Sequence, residues 1–188
     1  MKILLIDNHT DHLYNFAPIF RDHQVEIQEY RPGLDFHSAG KDLVILSGGG
    51  GEGYELKDTH NGRLWYEDEM NFVLACDKPL IGVCMGFEVI AAAYGSDVKH
   101  AGRLISGFKV HQTSTRGKKH LNLGKMRQYE HHRFAVPQVS AQNFEVLADS
   151  PTGIEMIKHK TRKLIASQFH PEHPGGTLDI TQLITTLA

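Results

Sequence analysis

With 188 residues, 40% hydrophobic and 22% charged, the chain has the make-up of one ordinary globular domain, expected to span residues 1–188. A formal net charge of −2 supplies no basic field for nucleic acid or an anionic membrane, and Lys118-Lys119 and Arg162-Lys163 read as isolated, solvated pairs. Two cysteines, Cys76 and Cys84, exclude a secreted-type disulfide framework and match no zinc spacing, while thirteen histidines are scattered with only His131-His132 adjacent, so neither a metal nor another cofactor is expected.

The opening Met1–Asp7 is apolar over too few residues for a signal peptide or membrane span, so Lys2–Asp7 reads as a first strand of a cytoplasmic protein. Asp11–Asp22 carries Leu13, Phe16, Ala17 and Phe20 at helical spacing, with Pro18 predicting a kink or early stop. Val25–Tyr30 alternates as a strand, and Leu43–Leu46 is a short apolar strand running into Ser47-Gly48-Gly49-Gly50-Gly51-Glu52-Gly53. Leu64–Cys76 reads as a helix, Leu80–Cys84 as a strand and Phe87–Tyr94 as an Ala-rich helix. Nearly uniform apolar strands alternating with helices predict a parallel sheet covered on both faces. The second half holds short strands at Phe108–His111, Lys125–Tyr129, Phe144–Leu147, Gly153–Ile157 and Leu164–Phe169, then a closing helix at Leu178–Leu187. The expected architecture is therefore α/β: an open, twisted, mostly parallel sheet with helices on both faces and antiparallel strands added in the second half. Its ligand crevice would lie at the C-terminal ends of the parallel strands.

Chemistry is concentrated at two such ends. Gly82-Val83-Cys84-Met85-Gly86 closes a strand and opens a helix, and the flanking glycines suit a tight turn that exposes the thiol. A helix N-terminus would favour thiolate and lower the pKa of Cys84 from its usual value of about 8.5. Gln168-Phe169-His170-Pro171-Glu172 supplies what a cysteine nucleophile lacks: His170 as general base and acid, and Glu172 to orient it. The backbone N–H of Met85 is the natural first oxyanion donor, and Gly49, without a Cβ, suits the second. Cys76 reads as a small buried hydrophobe. Gly48, Gly50 and Gly53 match Gly-x-Gly-x-x-Gly only weakly, because they follow the third strand and open no convincing helix.

Ile45-Leu46-Ser47-Gly48-Gly49, Gly82-Val83-Cys84-Met85-Gly86 and Gln168-Phe169-His170-Pro171-Glu172 resemble, in order, the three signature blocks of class I glutamine amidotransferases of the triad type. That resemblance implies a flavodoxin-like amidotransferase fold, a γ-glutamyl thioester on Cys84, a triad completed by His170 and Glu172, and an oxyanion hole from Gly49 and Met85. Two positions depart from the pattern. Gly50 stands where proline is usual in the oxyanion loop beside the substrate, and Glu88 stands where a glutamine helps hold substrate glutamine. An anion at Glu88 implies either contact with the substrate ammonium or a changed substrate. Tyr129-Glu130-His131-His132 is similar to a segment of the amidotransferase component of GMP synthase, which implies a contact with a synthetase through His132; the same stretch also resembles γ-glutamyl peptidases of this superfamily.

The leading expectation is a glutaminase subunit that delivers ammonia to a separate synthetase, because no Gly-x-x-x-x-Gly-Lys-[Ser/Thr] loop or other nucleotide-activating motif is present. A γ-glutamyl hydrolase acting alone on a γ-glutamyl peptide or amine is the alternative. A non-catalytic glutamine-binding regulatory module is the third.

Overall fold

The computed structural model describes residues 1–49 and 55–187. In chain order the elements are β1 (Lys2–Asn8), a 3₁₀ turn (Leu13–Phe16), α1 (Ala17–Asp22), β2 (Gln24–Glu29), β3 (Leu43–Gly49), a small hairpin β4 (Thr59–His60) and β5 (Arg63–Leu64), and α2 (Glu67–Ala75). There follow β6 (Leu80–Val83), α3 (Met85–Ala93), β7 (Lys99–Thr113), α4 (Thr115–Leu121), β8 (Lys125–Ala135), β9 (Phe144–Ser150), β10 (Gly153–His159), β11 (Leu164–Ser167) and α5 (Ile180–Leu187).

Nine strands form one sheet in the order β2-β1-β3-β6-β11-β10-β9-β7-β8. The run from β2 to β11 is parallel throughout. The four remaining strands extend it antiparallel. This is the expected α/β layout, and the reason is visible in β1: Ile3, Leu4, Leu5 and Ile6 are all wholly buried because both faces of the sheet are covered. Ile3 and Leu5 face a core closed by Ile19 of α1 and by Leu183, Ile184 and Leu187 of α5. Leu4 and Ile6 face a core closed by Val73 of α2 and by Val89 and Ile90 of α3. Each fully buried aliphatic side chain contributes roughly 1.5–3 kcal/mol of transfer free energy. No helix among the described residues is long and apolar enough to cross a membrane.

Several local expectations are corrected. The helix expected over Asp11–Asp22 is a 3₁₀ turn followed by α1, with Pro18 in the first turn of α1, where its missing N–H has no intrahelical partner to lose. Leu64 belongs to β5, and α2 starts only at Glu67. Helix α4 was not expected: Ser114 caps it by accepting a hydrogen bond from the Gly117 N–H at 3.0 Å, and Asn122 ends it in a left-handed conformation with φ 54°. Strands β7 and β8 run to 15 and 11 residues, far beyond the short strands expected, with a register shift between His100 and Ile105.

Two features set the ends of the parallel strands. At β6–α3, a Cβ added to Gly86 would lie 2.5 Å from the Leu46 carbonyl oxygen, and one added to Gly82 would lie 2.8 Å from the Gly86 carbonyl oxygen. Strand β3 and helix α3 therefore touch backbone to backbone. At β1–β3, the Asn8 N–H donates to Ser47 Oγ at 2.9 Å and Asn8 Nδ2 donates to Glu69 Oε1 at 3.1 Å, tying the approach to Gly48-Gly49 onto α2. Glu69 is wholly buried, and desolvation pushes its carboxyl up to about 8.

Gly86→Ala should lose about 2–3 kcal/mol of stability, because the obstructing atoms are backbone; a urea midpoint equal to that of the wild type would refute the close packing. Glu69 holds its proton more tightly folded than unfolded, so the folded state binds more protons between about pH 4.5 and 8, and stability falls as pH rises through that window. The upper bound is roughly 5 kcal/mol. Glu69→Gln, which can still accept from Asn8, should flatten that slope in urea titrations repeated across pH.

Candidate active site

Cys84 occupies the turn between β6 and α3 as the N-cap of α3, with φ 50° and ψ −104°. A non-glycine residue there stores about 1–3 kcal/mol, and the surroundings enforce it: the Cys84 N–H donates to the Ser167 carbonyl on β11 at 2.8 Å, and the Glu88 N–H donates to the Cys84 carbonyl at 3.0 Å. Side chains at Gly82 or Gly86 would break this turn.

His170 follows β11. Its N–H donates to the Tyr129 carbonyl of β8 at 2.9 Å, and its Nδ1 lies 2.6 Å from Glu172 Oε1, with both side chains buried. A carboxylate at that distance assigns the Nδ1 proton and leaves Nε2 for chemistry. Nε2 is buried with no aligned hydrogen-bond partner. Gly48 lies against both residues: a Cβ placed there would lie 3.2 Å from His170 Cε1 and 3.5 Å from Cys84 Cβ. The thiol donates instead to the His131 carbonyl at 3.8 Å, while Gln168 Nε2 donates to Sγ at 3.9 Å. Cys84, His170 and Glu172 thus come together at one end of the sheet, with Cys84 and His170 lining the same cavity.

The electrostatics correct one expectation. Burial pushes the Cys84 thiol up, against the pull of the neighbouring His170, and the Glu88 and Glu172 carboxylates add to the rise. Desolvation outweighs the helix N-terminus. For His170, burial alone would lower the pKa, but the Glu172 carboxylate and the Cys84 sulfur carry it well above the usual histidine value. Cys84 and His170 each shift the other's proton affinity.

Cys84, Gly49, Met85, Glu88 and His170 all line one cavity of about 400 Å³. Gly49 packs against Met85 so closely that a Cβ there would lie 3.1 Å from the Met85 Cβ, which accounts for glycine at that position. Glu88 is buried, and Gln168 Nε2 donates to its Oε1 at 2.9 Å. Desolvation raises the Glu88 carboxyl to about 7, with the Gln168 hydrogen bond opposing the shift. Gly50 lies outside the described residues. His132 is 5% exposed, its Nδ1 donates to the Phe134 carbonyl at 2.6 Å, and it lines the same cavity as Cys84.

Sequence reasoning missed two members of this site. Gln168 lay inside the His-Pro-Glu block, but only the fold shows it bridging Cys84 and Glu88. His12 packs its ring edge-on to His170 at 5.3 Å and to His131 at 5.9 Å, and nothing in the local sequence of His12 signals this. The histidines that looked scattered are in part a cluster.

The sequence model of the family described as glutamine amidotransferase class-I matches residues 4–186. Among curated proteins, the chain is 33% identical over 104 residues to the glutamine-hydrolyzing GMP synthase subunit of Methanococcus maripaludis strain C5, an alignment covering 54% of each chain. It is 28% identical over 193 residues to the multifunctional tryptophan biosynthesis protein of Pichia angusta, covering 91% of this chain and 47% of that one. The chain thus spans about half the length of these curated relatives. Among solved structures, a Thermoplasma acidophilum protein provisionally assigned to the same kind of GMP synthase subunit superposes with a TM-score of 0.81 at 21% identity, covering 100% of this chain and 92% of that one, which supports the fold. A family match across nearly the whole chain, on a fold that carries the three signature blocks at neighbouring strand ends, makes this protein a member of the class I glutamine amidotransferases.

Proposed function

We propose that residues 1–188 act as a single amidotransferase unit in which Cys84, His170 and Glu172 hydrolyse the side-chain amide of glutamine. The observation that carries this reading is Cys84, held at φ 50° at the head of α3, sharing one cavity with an imidazole whose far nitrogen is fixed by a buried carboxylate 2.6 Å away. The Cys84 proton passes to His170 Nε2 as sulfur bonds to the amide carbon, and the N–H groups of Gly49 and Met85 stabilise the oxyanion. His170 returns the proton to the nitrogen as the C–N bond breaks, releasing ammonia and leaving a γ-glutamyl thioester. Water, deprotonated by His170, then frees glutamate and the thiol. Because free ammonia would be lost to solvent, the acceptor is proposed to be a separate synthetase, in line with the name of the Methanococcus relative.

Cys84→Ala should abolish both glutaminase activity and labelling by a glutamine-mimicking electrophile, and His170→Ala should be nearly as severe. Glu172→Ala, which removes only the orienting group, should retain more activity than either, within losses of roughly 10²–10⁴-fold. Retention of labelling in Cys84→Ala would remove the assignment.

A second reading rests on Glu88. A carboxyl where the family pattern has glutamine favours a γ-glutamyl peptide or amine as substrate, with water as final acceptor. Turnover of glutamine compared with γ-glutamyl amines separates the two. If the Glu88 carboxylate holds a substrate ammonium, kcat/KM should rise through about pH 7 as Glu88 ionises, and Glu88→Gln should lose that rising limb.

A further inference from the structure

Beneath Tyr129–His132 lies a second set of buried ionisable groups that amide hydrolysis leaves unused. His111 of β7, Glu130 of β8 and Glu155 of β10 are each no more than 2% exposed, and one ligating atom from each lies within 4.8 Å of the others. His132 adjoins them, its Nε2 3.4 Å from Glu130 Oε2. Short distances do not make satisfied hydrogen bonds here. His111 Nε2 approaches Glu130 Oε1 to 2.9 Å, yet both His111 ring nitrogens, His132 Nε2 and Glu155 Oε2 are buried without an aligned partner. Buried polar atoms left unpaired in such number need an explanation.

The outer contacts give one. His132 Nδ1 is committed to the Phe134 carbonyl at 2.6 Å, and Glu155 Oε1 accepts from Ser150 Oγ at 2.6 Å. These bonds orient the remaining nitrogen and oxygen, as outer-sphere partners orient ligands around a metal. A cavity of about 570 Å³, lined by His111, Glu130 and Ser150, provides a route in. Two imidazoles with two carboxylates suit a borderline divalent ion, whereas magnesium and calcium prefer oxygen alone.

We propose that His111, Glu130 and Glu155, with His132 as a fourth ligand, bind a divalent transition-metal ion of the zinc type. Bonds of about 2.1 Å would require the ligating atoms to rearrange from their present spacing, in which those of His111, Glu130 and Glu155 lie within 4.8 Å of one another. The ion would tie β7, β8 and β10 together behind the reactive histidine, because the His111 ring stacks on Phe169, 5.6 Å between centroids, and Tyr129 beside Glu130 holds the His170 N–H. Its role is positioning, not catalysis.

Cobalt titration of chelator-stripped protein, carried out in Cys84→Ala so that the thiol cannot compete, tests this. One equivalent should bind with visible ligand-field absorption and be displaced by zinc. Zinc at a hundredfold excess over its Kd should raise Tm by roughly 5 °C or more. Glu155→Gln and His111→Asn should each weaken cobalt binding at least tenfold. Absence of saturable binding in the stripped Cys84→Ala protein would overturn the site and leave these groups as a proton-linked network. Undiminished binding in both further variants would also overturn it, by moving the ion to the packed rings of His12, His131 and His173.

Discussion

The close contact between β3 and α3 at Gly86 is the constraint on which the site depends. A hydrogen atom in place of a side chain at Gly86, and another at Gly82, let the helix begin directly against its own strand and the neighbouring one. Only then can the chain reverse within the single residue Cys84, whose positive φ is the cost of the turn. Parallel pairing of β6 with β3 on one side and β11 on the other brings Gly48-Gly49, Cys84 and His170 to the same end of the sheet. Sheet geometry thereby does most of the assembly, and side-chain contacts refine it.

Within that frame, burial is the dominant electrostatic influence. It raises the Cys84 thiol and the Glu88 and Glu69 carboxyls, so the interior around the site holds protons that water-exposed groups would release. His170 goes the other way only because Glu172 and the sulfur supply negative charge at close range. A buried thiol shifted upward in this way ionises less readily than an exposed one. A permanently ionised thiolate would be exposed to oxidation and adventitious electrophiles.

Family membership and branch identity rest on different residues. The glycine-flanked cysteine and the His-Pro-Glu block belong to the shared machinery, and the family match runs across residues 4–186. Around them lie Glu88 bonded to Gln168, the inward-facing His132, and the packed rings of His12, His131, Tyr129 and His173.

By itself the sequence determined the layered α/β class, the parallel half of the sheet, the cysteine turn and the histidine–carboxylate pair, because each is written in short-range signals: continuous apolar runs, glycines flanking a cysteine, and a motif of five consecutive residues. It did not reach α4, whose stability comes from a Ser114 cap and a left-handed Asn122 rather than from an apolar stripe, nor the length of β7, whose exposed residues carry no alternation. Only the tertiary structure decided the thiol's protonation, the inward turn of His132, the Gln168–Glu88 bond and the gathering of His111, Glu130 and Glu155. Those depend on desolvation and on contacts between distant strands, quantities that no local window of the chain contains.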